Sequence, residues 1–105
     1  MPIRSLSTPM EIDGDPDATE MIRVWLAHGD VHLTLLLGMW ADAEDTELDE
    51  CEAWGNLLAD VALHVAHGLA QSHAWERKDT LAKIRRAFLE NLDYQERKLS
   101  GGYVD

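Results

Sequence analysis

The chain has 105 residues, 46% of them hydrophobic and four of them tryptophan, which is material for one domain with one core of ordinary size. Its formal charge of -11 at pH 7 argues against a life on nucleic acid or on anionic lipid, because both demand a positive surface. The single cysteine, Cys51, excludes an intramolecular disulfide framework and fits a reducing compartment; with no secretory leader pattern at the start and no apolar run of roughly 18 residues, the expected location is the cytoplasm.

Residues 1–15 carry Pro2, Pro9, Ser5, Ser7, Thr8 and Gly14 without sustained periodicity and read as a flexible N-terminal arm. Asp15 and Pro16 then suit one short helical turn, with Asp15 as its cap and Pro16 at the first helical position. The single domain is expected to run over 16–99, with 100–105 as a flexible tail.

MIRVWLAHGDVHLTLLL reads as a β-hairpin. A two-residue Gly29-Asp30 turn pairs His28 with Val31, Leu26 with Leu33, Val24 with Leu35 and Ile22 with Leu37, which makes one face almost wholly apolar. The other face collects Arg23, Trp25, Ala27, His32, Thr34 and Leu36. A two-stranded hairpin alone is marginal in water, so helices are expected to cover its apolar face. The large apolar Trp25 then stands on the outer face and marks a candidate interface. A helix through 17–28 is the competing reading, disfavoured because both strands agree on one register.

After Gly38-Met39-Trp40, seven of the eleven residues from Asp42 to Glu52 are acidic. Such a run is a solvated face or a helix start, and Thr46 with Asp49 resembles a capping arrangement. A calcium loop is disfavoured, because the alternating aspartates, central glycine and terminal glutamate of an EF-hand are missing. The main helix begins between Thr46 and Ala53 and runs to about Ser72. Its interior Gly55 and Gly68 suggest close approach of another element, and Cys51 reads as a small buried hydrophobe. Trp54 reads as core, and Trp40 and Trp75 as residues that close it. A loop over Ser72 to Lys78 leads to a second helix from about Asp79 to Leu99, with Leu81, Ile84, Phe88, Leu92 and Leu99 on one face. Charge is uneven: residues 1–76 hold two basic and fifteen acidic residues, and residues 77–105 hold seven basic and five acidic. The expected fold class is α+β, a hairpin followed by two amphipathic helices (ββαα), completed by dimerisation.

The main helix carries the candidate site. At about 100° per residue, Asn56, Asp60, His64, His67 and Gln71 fall within a wedge of about 80°, opposite Trp54, Leu58, Val61, Val65 and Leu69. The stripe contains no Lys, Arg or Glu, so it suits a pocket, a partner or a neighbouring element better than open solvent. Asp60 with His64 and His64 with His67 are pairs that share a helix face and suit a metal or a proton, but about 10.5 Å of helix rise separates Asp60 from His67, too far for one first shell. No CxxC or HExxH pattern supplies further ligands, and no nucleophile elbow, phosphate loop or nucleotide fingerprint is present. The residues therefore favour a non-enzymatic module without a cofactor. Its expected partner is itself, as a homodimer, with a basic protein as a further partner; the alternative is a small-molecule or metal-binding protein, possibly enzymatic, using Asp60, His64 and His67.

The order RVWLAHGDVHLTL, GMW, AWGNLLADVALHVAHGLAQ resembles a family of small uncharacterised bacterial proteins classed as a domain of unknown function, over about residues 16–92. That family's pattern is a hydrophobic hairpin, a Gly-Met-Trp bend, and a helix opening with Ala-Trp-Gly and containing an aspartate and a histidine like Asp60 and His64. The acidic stretch Asp42 to Glu52 is longer than the pattern expects. The resemblance supports the ββαα reading and implies no activity.

Overall fold

A computed structural model of the chain describes residues 4–102, with side chains through residue 98. The elements in order are a short 3-10 turn (Met10–Ile12), strands β1 (Ile22–Ala27) and β2 (Asp30–Leu35), and helices α1 (Glu50–His73) and α2 (Arg77–Gly102). This is the expected ββαα arrangement of an α+β chain. Of the expected arm and tail, residues 1–3 and 103–105 lie outside the described residues.

The arm is not featureless. Met10–Ile12 forms its 3-10 turn behind Pro9, and the single helical turn expected at Asp15 is instead a tight turn. There the amide of Ala18 donates to the Asp15 carbonyl at 3.2 Å and the amide of Asp17 to the Asp15 side chain at 2.9 Å. Asp15 thus closes a turn on the residue two ahead, and no helix follows for it to cap.

The hairpin keeps its predicted faces and shifts its register by two residues. Ile22 faces Leu35, Val24 faces Leu33, Leu26 faces Val31 and Ala27 faces Asp30, so the turn is His28-Gly29 rather than Gly29-Asp30. Both turn residues have positive φ, 54° at His28 and 72° at Gly29, as a type I′ turn requires. That requirement selects the register: Gly29 serves best as the second central residue, and histidine tolerates the left-handed region better than most residues. A slip of two leaves every side chain on its original face. The Leu36 amide extends the ladder to the Met21 carbonyl at 3.0 Å.

Asp49, not Thr46, caps α1. Its carboxylate accepts the Glu52 amide at 3.0 Å, while the Thr46 hydroxyl accepts only the Leu48 amide within the preceding loop. Helix α1 ends at Ala74, which takes a left-handed conformation with φ 57°. Helix α2 opens two residues earlier than expected because Glu76 reaches forward: its carboxylate accepts the Lys78 and Asp79 amides, and its carbonyl accepts both the amide and the hydroxyl of Thr80. These bonds satisfy donors that a helix start otherwise leaves open.

The two helices pack on one another, but the expected cover over the hairpin is missing. No strand backbone lies close to either helix among the described residues. Among the described residues the buried hydrophobic ones are Ala53 and Ala66, with Thr80 as the buried polar one, while Leu57, Leu69, Leu81 and Ile84 are half-buried. The aliphatic hairpin face therefore stands open, with Leu26 82% and Leu33 56% exposed, whereas Trp25, expected to be the misplaced residue, is half-buried opposite His32. Phe88 and Leu92 of the expected α2 core face are exposed too.

Three smaller expectations are corrected by the same openness. A Cβ at Gly55 or Gly68 would meet nothing within 4 Å, so neither glycine accommodates a close neighbour within this chain. Cys51 is exposed, because it lies in the first turn of α1, where little covers that side. Trp75 is exposed as well and lies against the His73 ring at 4.7 Å instead of closing a core; Trp40 and Trp54 are half-buried.

Candidate functional site

Asn56, Asp60, His64, His67 and Gln71 all lie on exposed α1 surface. At about 100° per residue they project away from Ala62, Ala66 and Leu69, where α1 meets α2, so the stripe is the outer face of the helix pair and not a seam within it. The His64 Nδ1 is 2.8 Å from the Asp60 carbonyl and 3.6 Å from the Asp60 carboxylate. Both side chains are well exposed, at 77% and 65%, so this i,i+4 pair is screened by water. His67 does not join it. Among the described residues, no three His, Cys, Asp or Glu side chains come together in a group fit to hold a metal ion, the acidic run from Asp42 to Glu52 included.

Histidines elsewhere take turn and cap positions. His32 Nε2 lies 3.0 Å from the Ala27 carbonyl across the hairpin, and His73 Nδ1 lies 2.7 Å from the Ser72 hydroxyl at the end of α1. At the open end of the hairpin, Glu20, Ile22, Arg23, Thr34, Leu35 and Leu36 line a shallow open groove of about 340 Å³. There the Arg23 guanidinium meets both Glu20 carboxylate oxygens, at 2.6 and 2.9 Å, which fixes the groove's rim.

The most highly connected side chain is one the sequence hid. Glu50, the first residue of α1, accepts the amides of Gly38 at 2.8 Å, Trp40 at 2.9 Å and Ala41 at 3.1 Å, and the Trp54 indole N–H at 2.8 Å. One carboxylate thus ties the Gly-Met-Trp bend to the helix start. The bend is shaped to present these amides. Gly38 has φ 93°, a conformation that favours glycine; a Cβ there would lie 2.9 Å from the Asp42 carboxylate, the free end of a side chain that can move aside. The Asp42 amide closes the bend on the Gly38 carbonyl at 2.9 Å, and the Trp40 and Trp54 rings meet edge to face with centroids 6.2 Å apart. The Gly38 amide does most to hold the Glu50 carboxyl below the ordinary glutamate range; partial burial opposes it, and the Ala41, Trp54 and Trp40 donors add to the lowering. In the sequence Glu50 is one of seven acidic residues in a row of eleven, and only its i,i+4 spacing to Trp54 and the glycine of the bend set it apart.

Among the described residues no helix is long and apolar enough to cross a membrane. The domain of unknown function DUF5076 matches residues 5–96, a longer span than the 16–92 expected from the resemblance, and the chain belongs to that family. No curated protein matches the chain. Among solved structures it is similar to one described as that of a "putative pyruvate dehydrogenase" from the photosynthetic bacterium Rhodopseudomonas palustrus CGA009, with 24% identity and a TM-score of 0.61 over 87% of this chain and 84% of that one. At that identity the likeness shows the fold alone.

Proposed function

We propose that this member of the DUF5076 family is an acidic binding and assembly module whose working unit is a homodimer. One observation carries the reading: the surface left open. A folded monomer of 11.8 kDa has about 5,900 Å² of accessible surface by mass scaling, and this chain has 9698 Å². Its radius of gyration of 17.1 Å likewise exceeds the roughly 13 Å of a compact chain of this length. Much of the open surface is aliphatic, on the hairpin and along both helices, and the two alanines buried among the described residues are too small a core for a chain of this size. A second copy supplies the missing core without a further gene product.

Light scattering across a concentration series tests this, with twice the chain mass expected. Attachment to a basic protein, by contrast, rests on charge attraction and weakens steeply as salt is added. A chain that stays monomeric at every concentration and salt refutes the reading.

Ligand or metal binding by Asp60, His64 and His67 is a second reading, favoured by one detail. The Asp60 carbonyl holds His64 through Nδ1, and Nε2 has no hydrogen-bond partner among the described residues, the disposition in which a histidine commonly ligates. Zinc titration by calorimetry, compared with His64→Ala, tests it: heat absent in both excludes the reading.

A further inference from the structure

The open hairpin face and the open helix surfaces belong together. Ile22, Val24 and Leu26 of β1 and Val31, Leu33 and Leu35 of β2 form one aliphatic face, and a sheet face of this kind is stable only when a second layer covers it. On the helices, Leu58, Val61 and Val65 of α1 and Phe88 and Leu92 of α2 stand exposed. At about 100° per residue both strips border the faces through which the helices meet. The chain therefore carries a sheet face without helices and a helix surface without a sheet.

Its own hairpin is held away from its own helices. The bend between them is pinned by the donors that converge on Glu50, which hold Gly38, Trp40 and Ala41 at the start of α1 and leave only Leu36 and Leu37 as the span over which the hairpin could turn back. Pairing two hairpins edge to edge would satisfy strand hydrogen bonds yet leave the aliphatic face uncovered. We infer that the aliphatic hairpin face of each chain packs on the α1–α2 surface of a second copy, so that two chains exchange hairpins across a two-fold axis. This rests on the homodimer reading above and names its contact.

Two observations favour a second copy over another occupant. The excess surface, close to 3,800 Å² by comparison with the mass scaling and shared between the exposed arm, the hairpin and the helices, leaves room for the about 1,000–2,500 Å² that each member of an obligate homodimer buries. Charge is complementary as well. Arg85 of α2, beside Phe88 and Leu92 in the helical projection, and the acidic run Asp42 to Glu52 make no ion pairs among the described residues, so the acidic stretch that follows one hairpin has a cationic counterpart at the edge of the helix surface that hairpin would cover.

Cysteine cross-linking in a Cys51→Ser background tests the contact, with light scattering on the same samples. Leu33→Cys is mixed with chains carrying Leu58→Cys, Val61→Cys, Phe88→Cys or Leu92→Cys in turn, unfolded together and refolded. The expected result is a disulfide-linked heterodimer with at least one helix variant, while Leu33→Cys alone links poorly. Three results overturn the inference and leave the homodimer standing: a dimer by mass in which no helix position links to residue 33, Leu33→Cys linking to itself as readily as to any helix variant, or the double variant Leu33→Cys/Val61→Cys closing within one chain. A monomeric mass overturns both.

Discussion

Truncating Leu33 to alanine separates stability held within the chain from stability held between chains. Leu33 lies mid-strand opposite Val24 and is 56% exposed, so slightly more than half of its burial remains to be gained on association. Full burial of a leucine contributes about 1.5–3 kcal/mol, which puts the unrealised part at roughly 0.8–1.7 kcal/mol per site. A two-fold dimer contains the site twice, and the loss of about 2–3 kcal/mol corresponds to a dissociation constant roughly 30–150-fold weaker. Sedimentation velocity over a dilution series reads this constant directly, and a melting temperature that falls on dilution reads it independently. A Leu33→Ala dimer that dissociates within threefold of the parent, with the loss appearing instead as a concentration-independent drop in melting temperature, would refute the reasoning.

Other perturbations act within one chain. Ala74→Gly relieves a left-handed residue at the end of α1, where glycine is the usual choice, and should raise stability by about 1 kcal/mol in urea unfolding followed by circular dichroism. Ala66→Leu overpacks the buried contact between α1 and α2, where Ala66 is 1% exposed, and should cost about 1–3 kcal/mol in the same assay. Because the folded state lowers the Glu50 pKa, its contribution is present above the unfolded value of about 4.3 and is lost as pH falls through the lower folded value. Glu50→Gln should therefore be less stable than the parent at pH 7, with the difference narrowing below about pH 4 as the parent's carboxylate protonates; a gap independent of pH would show that the charge of Glu50 is immaterial.

The hairpin was legible because alternation fixes which side chains share a face, and a slip of two preserves that alternation. The register was not, since it depends on which two residues take positive φ, and the sequence places Gly29 equally well at either central position of a two-residue turn. The start of α1 was legible only as a window from Thr46 to Ala53, because several side chains there are able to cap, and the one that does is Asp49, which accepts the Glu52 amide. Gly55 and Gly68 misled for a related reason: a glycine inside a helix signals a neighbour only where a neighbour exists, and within one chain nothing approaches either. The polar stripe lies along one exposed face of α1, and spacing alone assigns no partner to such a face. Glu50 was not legible, because its role is defined by amides nine to twelve residues away, whose direction is set by the backbone of the bend.

The Glu50 cluster also has a kinetic side. Its four donors come from the bend and from the first turns of α1, so the carboxylate cannot be fully satisfied until both are in place. Ordering of the bend and closure of the helix start are therefore one cooperative event, although they are separated along the chain by the acidic loop. In hydrogen–deuterium exchange the amides of Gly38, Trp40 and Ala41 should open together with those of Glu52 and Ala53, and the hairpin, which shares none of these bonds, should open on its own schedule.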